Sequence, residues 1–182
     1  MSRKPVDPAV YLTGYASPPC YATDFPGHFG EKTPPVTPPD VLIDLLNALL
    51  EAERAGAKVL AILRDTIDPR LPVFPLLARL QTDEGRNAVI LYKTIHRLGG
   101  VASHETGAFV AKTIAIDGLL PRLAFINRGQ AWVVRKIDEA LGLVEDEATR
   151  QMLQDMRQSH EDNIAACAVL LGQLAGERHG AP

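Results

Sequence analysis

Glu53, Glu84 and His160 are the side chains of this 182-residue chain whose types and positions could do chemistry together. Two carboxyl groups and an imidazole can share protons, clasp one another as an ion pair, or hold one divalent cation between them. Each stands on the apolar stripe of a predicted helix, where a leucine would serve a core better. Glu84 is in line with Leu77, Leu80, Leu91 and Leu98, and three residues on, where a metal-binding bundle would often place a histidine, stands Asn87. Asn163 follows His160 at the same spacing, and Gln130, with Asn127 one turn before it, interrupts a further stripe. Burying such groups costs free energy unless they pair, hydrogen-bond or bind a metal.

The elements that must carry these residues follow from the 3.6-residue periodicity of the chain. Thr37 is placed to cap a first helix, with Pro38 and Pro39 in its first turn; Leu42, Leu46, Leu49, Glu53, Ala57 and Leu60 line one face to about residue 66. The proline-broken "DPRLPVFP" separates it from a second helix, about Pro75 to Leu98, which Gly99-Gly100 stops. Residues 101–117 form a long connection with a short helix in its middle. A third helix, about 118–141, carries Leu123, Ile126, Gln130, Val134, Ile137 and Leu141, and Gly142 ends it. A fourth, about 146–175, carries Leu153, Met156, His160, Asn163, Cys167, Leu170 and Leu174, whose spacings alternate three and four. Every polar interruption falls near mid-helix. In antiparallel helices of similar length the interruptions therefore meet at one height, one polar layer across four helices.

Composition sets the outer bounds. At 46% hydrophobic and 23% charged the chain reads as a globular protein with one sizeable core. A net charge of -3, with no strongly basic segment, argues against nucleic acid as the main partner. No stretch approaches the roughly 20 apolar residues of a membrane span, and "MSRKPVDPAV" lacks the apolar run of a signal peptide, so the expectation is a cytoplasmic protein without a membrane partner. Two cysteines, Cys20 and Cys167, make neither a disulfide framework nor a metal knuckle. Residues 1–36 hold many prolines with Tyr11, Tyr15, Tyr21, Phe25 and Phe29, and read as an extended N-terminal arm that either folds back on the same bundle or embraces a second subunit. The bundle proper then spans 37–176, and 177–182 is a frayed end.

Four long helices with short first and third connections and one long crossover resemble the ferritin-like superfamily. That family's di-iron site takes a Glu from each of two helices and a Glu-x-x-His pair from each of the others. Glu53 matches the single Glu of the first helix and Glu84 the acid of the second, with Asn87 for its histidine. Gln130 or Asn127 stands where the third helix has Glu, and His160 and Asn163 stand where the fourth has Glu and His. More narrowly, "RLAFINRGQAWVVRKI" and "RLGGVASHETGAF" resemble an uncharacterised family of bacterial ferritin-like proteins. The resemblance implies an all-α, antiparallel four-helix bundle with a degenerate di-iron motif, and it assigns no reaction.

Two readings of the layer stay open at this stage. Glu53, Glu84 and His160 can hold one divalent ion, iron or zinc, with amides or water completing the shell. Alternatively the two acids face a protonated His160 in a hydrogen-bonded layer fixed by Asn87, Gln130 and Asn163, in a non-catalytic bundle that serves association or takes a small ligand. A second apolar stripe on the first helix (Val41, Leu45, Ala48, Ala52, Val59, Ile62) makes its apolar face wider than one partner helix covers, and with the aromatic arm it predicts a homodimer or larger. Other candidates weigh less: His96 at the solvent-facing end of the second helix, His104-Glu105 in a cap around Ser103, and Cys20 with Asp24 and His28 in the arm.

Overall fold

The computed structural model describes residues 38–179. The arm, with Thr37 and the Cys20–Asp24–His28 trio, lies outside the described residues. Five helices follow in order: α1 Pro38–Thr66, α2 Val73–Arg97, α3 Phe109–Ile114, α4 Leu119–Leu141 and α5 Glu147–His179. No strand occurs among the described residues. The helices begin and end within a few residues of where periodicity, prolines and glycines place them.

Each end has a physical cause. Beyond the C-cap Leu98 of α2, Gly99 turns at a φ of 80°, a left-handed conformation that glycine takes without strain, and its N–H reaches the His96 carbonyl. Gly100 then passes so close to Ile43 that a Cβ there would lie 2.6 Å from the Ile43 side chain. Asp146 caps the start of α5: its carboxylate accepts the Thr149 backbone N–H at 2.9 Å and the Arg97 guanidinium at 2.8 Å. The Thr149 hydroxyl first, then Arg97, then the Thr149 N–H draw the Asp146 carboxyl down to about 2. One capping residue thus starts α5 and ties it to the end of α2.

α1 packs on α2 and α4, and α5 packs on α4 and α2; the diagonal pairs α1/α5 and α2/α4 make no backbone-level contact. All neighbours are antiparallel, so the diagonal partners α2 and α4 run in the same direction. A chain leaving the end of α2 must therefore travel the length of the bundle before α4 can start. That is why the second connection is long while the others are short.

The crossover is held down rather than loose. Asn47 of α1 accepts the Ser103 N–H at 2.7 Å and donates to the Val101 carbonyl at 2.9 Å. The Ser103 hydroxyl donates to Glu51 at 2.5 Å, and Arg54 donates to the Ser103 carbonyl. Farther along, Arg122 donates to the Ile116 carbonyl at 2.6 Å and the Ile114 carbonyl at 2.9 Å. Ser103 therefore pins the crossover to α1 instead of capping a helix at His104-Glu105, although its hydroxyl also accepts the Glu105 N–H at 3.1 Å. α3 packs on α1 and α4, and it covers part of the second apolar stripe of α1: Ala48 and Val59 are buried, Leu45, Ala52 and Ile62 half-buried, and Val41 exposed. Much of the width of that face is explained within one chain.

The buried apolar side chains form two clusters. One gathers Leu46, Leu49, Leu91, Ile95, Ile137 and Leu153 at the end where α1 starts; the other gathers Leu60, Leu63, Leu77, Leu80, Leu123 and Cys167 at the opposite end. The polar residues stand at the division between them. The Asn47 clamp generates a test. Asn47→Ala leaves the Ser103 N–H and the Val101 carbonyl without their partner, and urea unfolding should show a loss of about 1–3 kcal/mol.

Candidate functional site

The layer is built from the side chains at that division. Glu53 and His160 expose 0% and 1% of their surface, and Glu84, Asn87, Gln130 and Asn163 are also buried. Helical spacing aims them inward: Glu53 lies between Leu50 and Leu60 on α1, Glu84 and Asn87 between Leu80 and Leu91 on α2, Gln130 between Ile126 and Val133 on α4, and His160 between Met156 and Cys167 on α5.

The hydrogen bonds run through four of these five groups and return. His160 Nε2 donates to Glu53 Oε1 at 2.8 Å. Asn87 Nδ2 donates to Glu53 Oε2 at 3.2 Å. His160 Nδ1 donates to Gln130 Oε1 at 2.5 Å, and the Gln130 amide nitrogen donates to Glu84 Oε1. Glu84 is joined to Glu53 by a further side-chain hydrogen bond. With the Gln130 nitrogen serving Glu84, its oxygen faces the imidazole, and Nε2 faces the Glu53 carboxylate; in this hydrogen-bond arrangement both ring nitrogens donate, as an imidazolium does. Burial above all, then the Glu53 charge, raises the Glu84 carboxyl well above its ordinary value against the opposing bond from Gln130; the hydrogen bond with Glu53 and the charge of Asp83 raise it further. Glu84 is thus a neutral acid whose hydroxyl donates to Glu53. One carboxylate faces one imidazolium, and the buried layer carries no net charge.

The layer spans both diagonals of the bundle. Glu53 and His160 bridge α1 and α5; Glu84 and Gln130 bridge α2 and α4. The amide residues divide. Asn87 and Gln130 are members of the network. Asn163 turns towards Asp83, at a long 3.5 Å, and Asn127 is half-buried with its amide oxygen unpartnered, so neither bonds to the other layer residues. His96 is exposed with its ring edge-on to Tyr92 at 4.5 Å, as expected for a solvent-facing residue. Trp132 is buried near Phe109 of α3, beneath the crossover.

Sequence reasoning passed over Gly56. It sits inside α1, where glycine costs about 0.5–1 kcal/mol relative to alanine. A Cβ there would lie 2.3 Å from Glu84 Oε2, so only glycine leaves room for that carboxyl. A glycine in mid-helix, three residues after a buried acid, was the available signal.

The arrangement defines a ferritin-like bundle whose central layer is polar. In structure the chain is similar to a "ferritin like, diiron-carboxylate" protein from Bacillus anthracis str. Ames, with a TM-score of 0.56, 17% identity, and 76% of this chain and 95% of that one covered. At that identity the likeness shows the fold. The chain belongs to the family described as "Domain of unknown function (DUF6306)", whose model matches residues 40–169. No curated protein matches it in sequence.

A di-iron centre does not fit these residues. Two cations call for several carboxylates, and only Glu53 and Glu84 are present, the second of them neutral. Both nitrogens of His160 are engaged, and Glu53 Oε2 is engaged by Asn87. Among the described residues no group of three or more His, Cys, Asp or Glu is arranged to hold a metal ion.

The Glu84 environment predicts a pH dependence. Its folded pKa lies above the ordinary 4.5, so between those two values the folded state binds more protons than the unfolded chain, and stability falls as pH rises. Glu84→Gln keeps both hydrogen bonds and does not titrate. Measured by urea unfolding, the stability of the native protein relative to Glu84→Gln should decline steadily as pH rises above about 4.5. A pH-independent difference would contradict a neutral Glu84.

Proposed function

We propose that this protein is a non-catalytic ferritin-like bundle whose central layer is a closed hydrogen-bonded network rather than a metal centre. The layer sets helix register for a bundle whose work is association or the binding of a small ligand. The observation that carries the reading is the complete engagement of His160: Nε2 on Glu53 and Nδ1 on Gln130 leave the ring no lone pair to offer a cation. The competing reading, one iron or zinc ion held by Glu53, Glu84 and His160, requires the imidazole to lose a proton and leave Glu53, and Glu84 to ionise.

Metal analysis of protein purified without added metal separates the two. The network reading expects far less than one equivalent of iron or zinc and a melting temperature unmoved by chelator. Stoichiometric metal, with a lower melting temperature after chelation, would overturn it. Substitutions give an independent check. Glu53→Leu alone strands a buried imidazolium and should cost about 3–5 kcal/mol. Glu53→Leu, Glu84→Leu and His160→Leu together remove every ionisable group of the layer, and should recover most of that loss.

Association belongs to the same proposal. A cytoplasmic homodimer, with the aromatic-bearing arm contributing to the contact, is supported by the arm's five rings and by the apolar Val41, Val89 and Tyr92 left exposed on α1 and α2. Light scattering of dilute protein should give about twice the 19.8 kDa chain mass, and deleting residues 1–36 should lower it. A monomer before and after deletion would remove association from the proposal.

A further inference from the structure

The apolar core is left uncovered at the end where α1 starts. Along the stripes of α1 and α2, Leu46, Leu49, Leu60, Leu77, Leu80 and Leu91 are buried. Leu42 and Leu98 continue those stripes to the end of the bundle and are only half-buried. Beside them, in the turn between α4 and α5, Leu143 leaves 38% of its surface exposed. With Ile43 and Val144 these leucines line a groove of about 270 Å³, whose rim carries Glu145 and Asp146. Asp146 is engaged by Arg97 and Thr149, whereas Glu145 makes no ion pair among the described residues.

We propose that this groove is the docking site of the chain's own N-terminal arm, with the Phe29 ring seated in it and Lys32 beside Glu145. The first argument is where the arm joins the bundle. It enters α1 at Pro38, and Leu42 lies four residues on, about 6 Å along the helix, so the groove opens beside the junction. The second is reach. Phe29 is the aromatic residue of the arm nearest to Pro38, nine residues before it, and nine residues span at most about 30 Å. The groove around Val169 lies 22 residues into α5, about 33 Å along the bundle, and is beyond that span. The groove along the α2/α5 seam is within reach, but it sets Arg86, Gln151 and Asp155 against a ring. The third is chemistry. The end groove has about nine times the ~30 Å³ that a water occupies in the liquid, which admits a phenyl ring, and its wall is apolar. The cation of Lys32 complements the carboxylate of Glu145; so exposed a pair adds little affinity, yet it favours this orientation of the arm over the reverse. The inference goes beyond the association reading and does not depend on it. Docking is within one chain, and it leaves Tyr11, Tyr15, Tyr21 and Phe25 for a subunit contact.

Cross-linking of the full chain tests it. In a Cys20→Ser background, Phe29→Cys is combined with Leu143→Cys in the groove or with Val169→Cys at the far end, both exposed positions, and each protein is treated with a short bis-maleimide. Cys167 is buried and stays. The expected result is a link within one chain that forms at least about 10-fold faster with Leu143→Cys than with Val169→Cys, because docking raises the effective concentration of one thiol at the other. Equal rates at the two positions overturn the proposal. So does a link that joins two chains, which would give the groove to a partner's arm. Amide exchange gives a readout without new thiols. The Leu98 and Leu143 N–H groups bond to the Thr94 and Ala140 carbonyls beside the groove. Phe29→Ala should speed their exchange by about 10-fold and Tyr11→Ala should not change it; exchange unmoved by Phe29→Ala overturns the proposal as well. Urea unfolding of each variant establishes that it folds. Light scattering of the same proteins keeps the two readings apart. An intrachain link in a monomer removes association and leaves this inference standing, whereas a dimer without the link removes this inference alone.

Discussion

The pair of Glu53 with His160 is the constraint on which the rest of this structure depends. A carboxylate and an imidazolium removed from water lose several kcal/mol of solvation each, and only close, well-directed contact returns it. The 2.8 Å bond between them crosses the bundle from α1 to α5, helices whose backbones make no contact. Its remaining demands shape the neighbours. Glu53 has a second oxygen, which Asn87 satisfies; His160 has a second N–H, which Gln130 satisfies. Gln130 in turn has an amide nitrogen to place, and Glu84 accepts from it across the other diagonal. Each residue is present because the one before it left a group unsatisfied.

That dependence accounts for the division of the core. Two apolar clusters press from either end, and neither supplies a hydrogen bond to the layer. Sliding one helix by a turn would move its polar residue among leucines and strand the partners it left. Apolar packing tolerates such shifts at modest cost, whereas an unsatisfied buried charge does not. The layer therefore specifies register more than it adds stability. The crossover makes the complementary contribution from outside. Because α2 and α4 are parallel, it must run the length of α1, and the Asn47, Glu51 and Arg54 ladder turns that topological necessity into a cover for an apolar face.

The helices and the layer were legible in the sequence because both are periodic. A polar residue at i, with apolar residues at i−4, i−7 and i+7, is buried wherever the helix packs, and four such residues near mid-helix meet whatever the loops do. What was not legible depends on directions a few ångströms long. Asn127 and Asn163 sit at spacings as good as those of Gln130 and Asn87, yet Asn163 leans to Asp83 and Asn127 stays outside the network. Periodicity gives the face of a residue, not the side-chain torsion that chooses its partner. The cover over α1 was missed for a related reason: a stripe too wide for one helix reads as an oligomer contact unless the path of the crossover is known. Neither proton position, on Glu84 or on His160, has any sequence signature; both follow from who donates to whom.

Fold and chemistry separate at this layer because glutamine and glutamate have the same shape. Gln130 can reach across α2 as a glutamate would and keep every helix in place, while supplying a donor instead of a charge. Asn87 likewise holds Glu53 with an N–H where a histidine would offer a lone pair to a cation. Such exchanges leave the packing that defines a ferritin-like bundle almost untouched, so a likeness of backbone at 17% identity is no guide to what the centre binds. They reverse the electrostatics entirely. A layer rich in carboxylates is unstable until cations enter it. One carboxylate, one imidazolium and one neutral acid are stable as they stand, and a cation entering would have to displace a proton already serving two oxygens. The same backbone can therefore be completed by metal or by its own protons, and in this chain the donors favour protons.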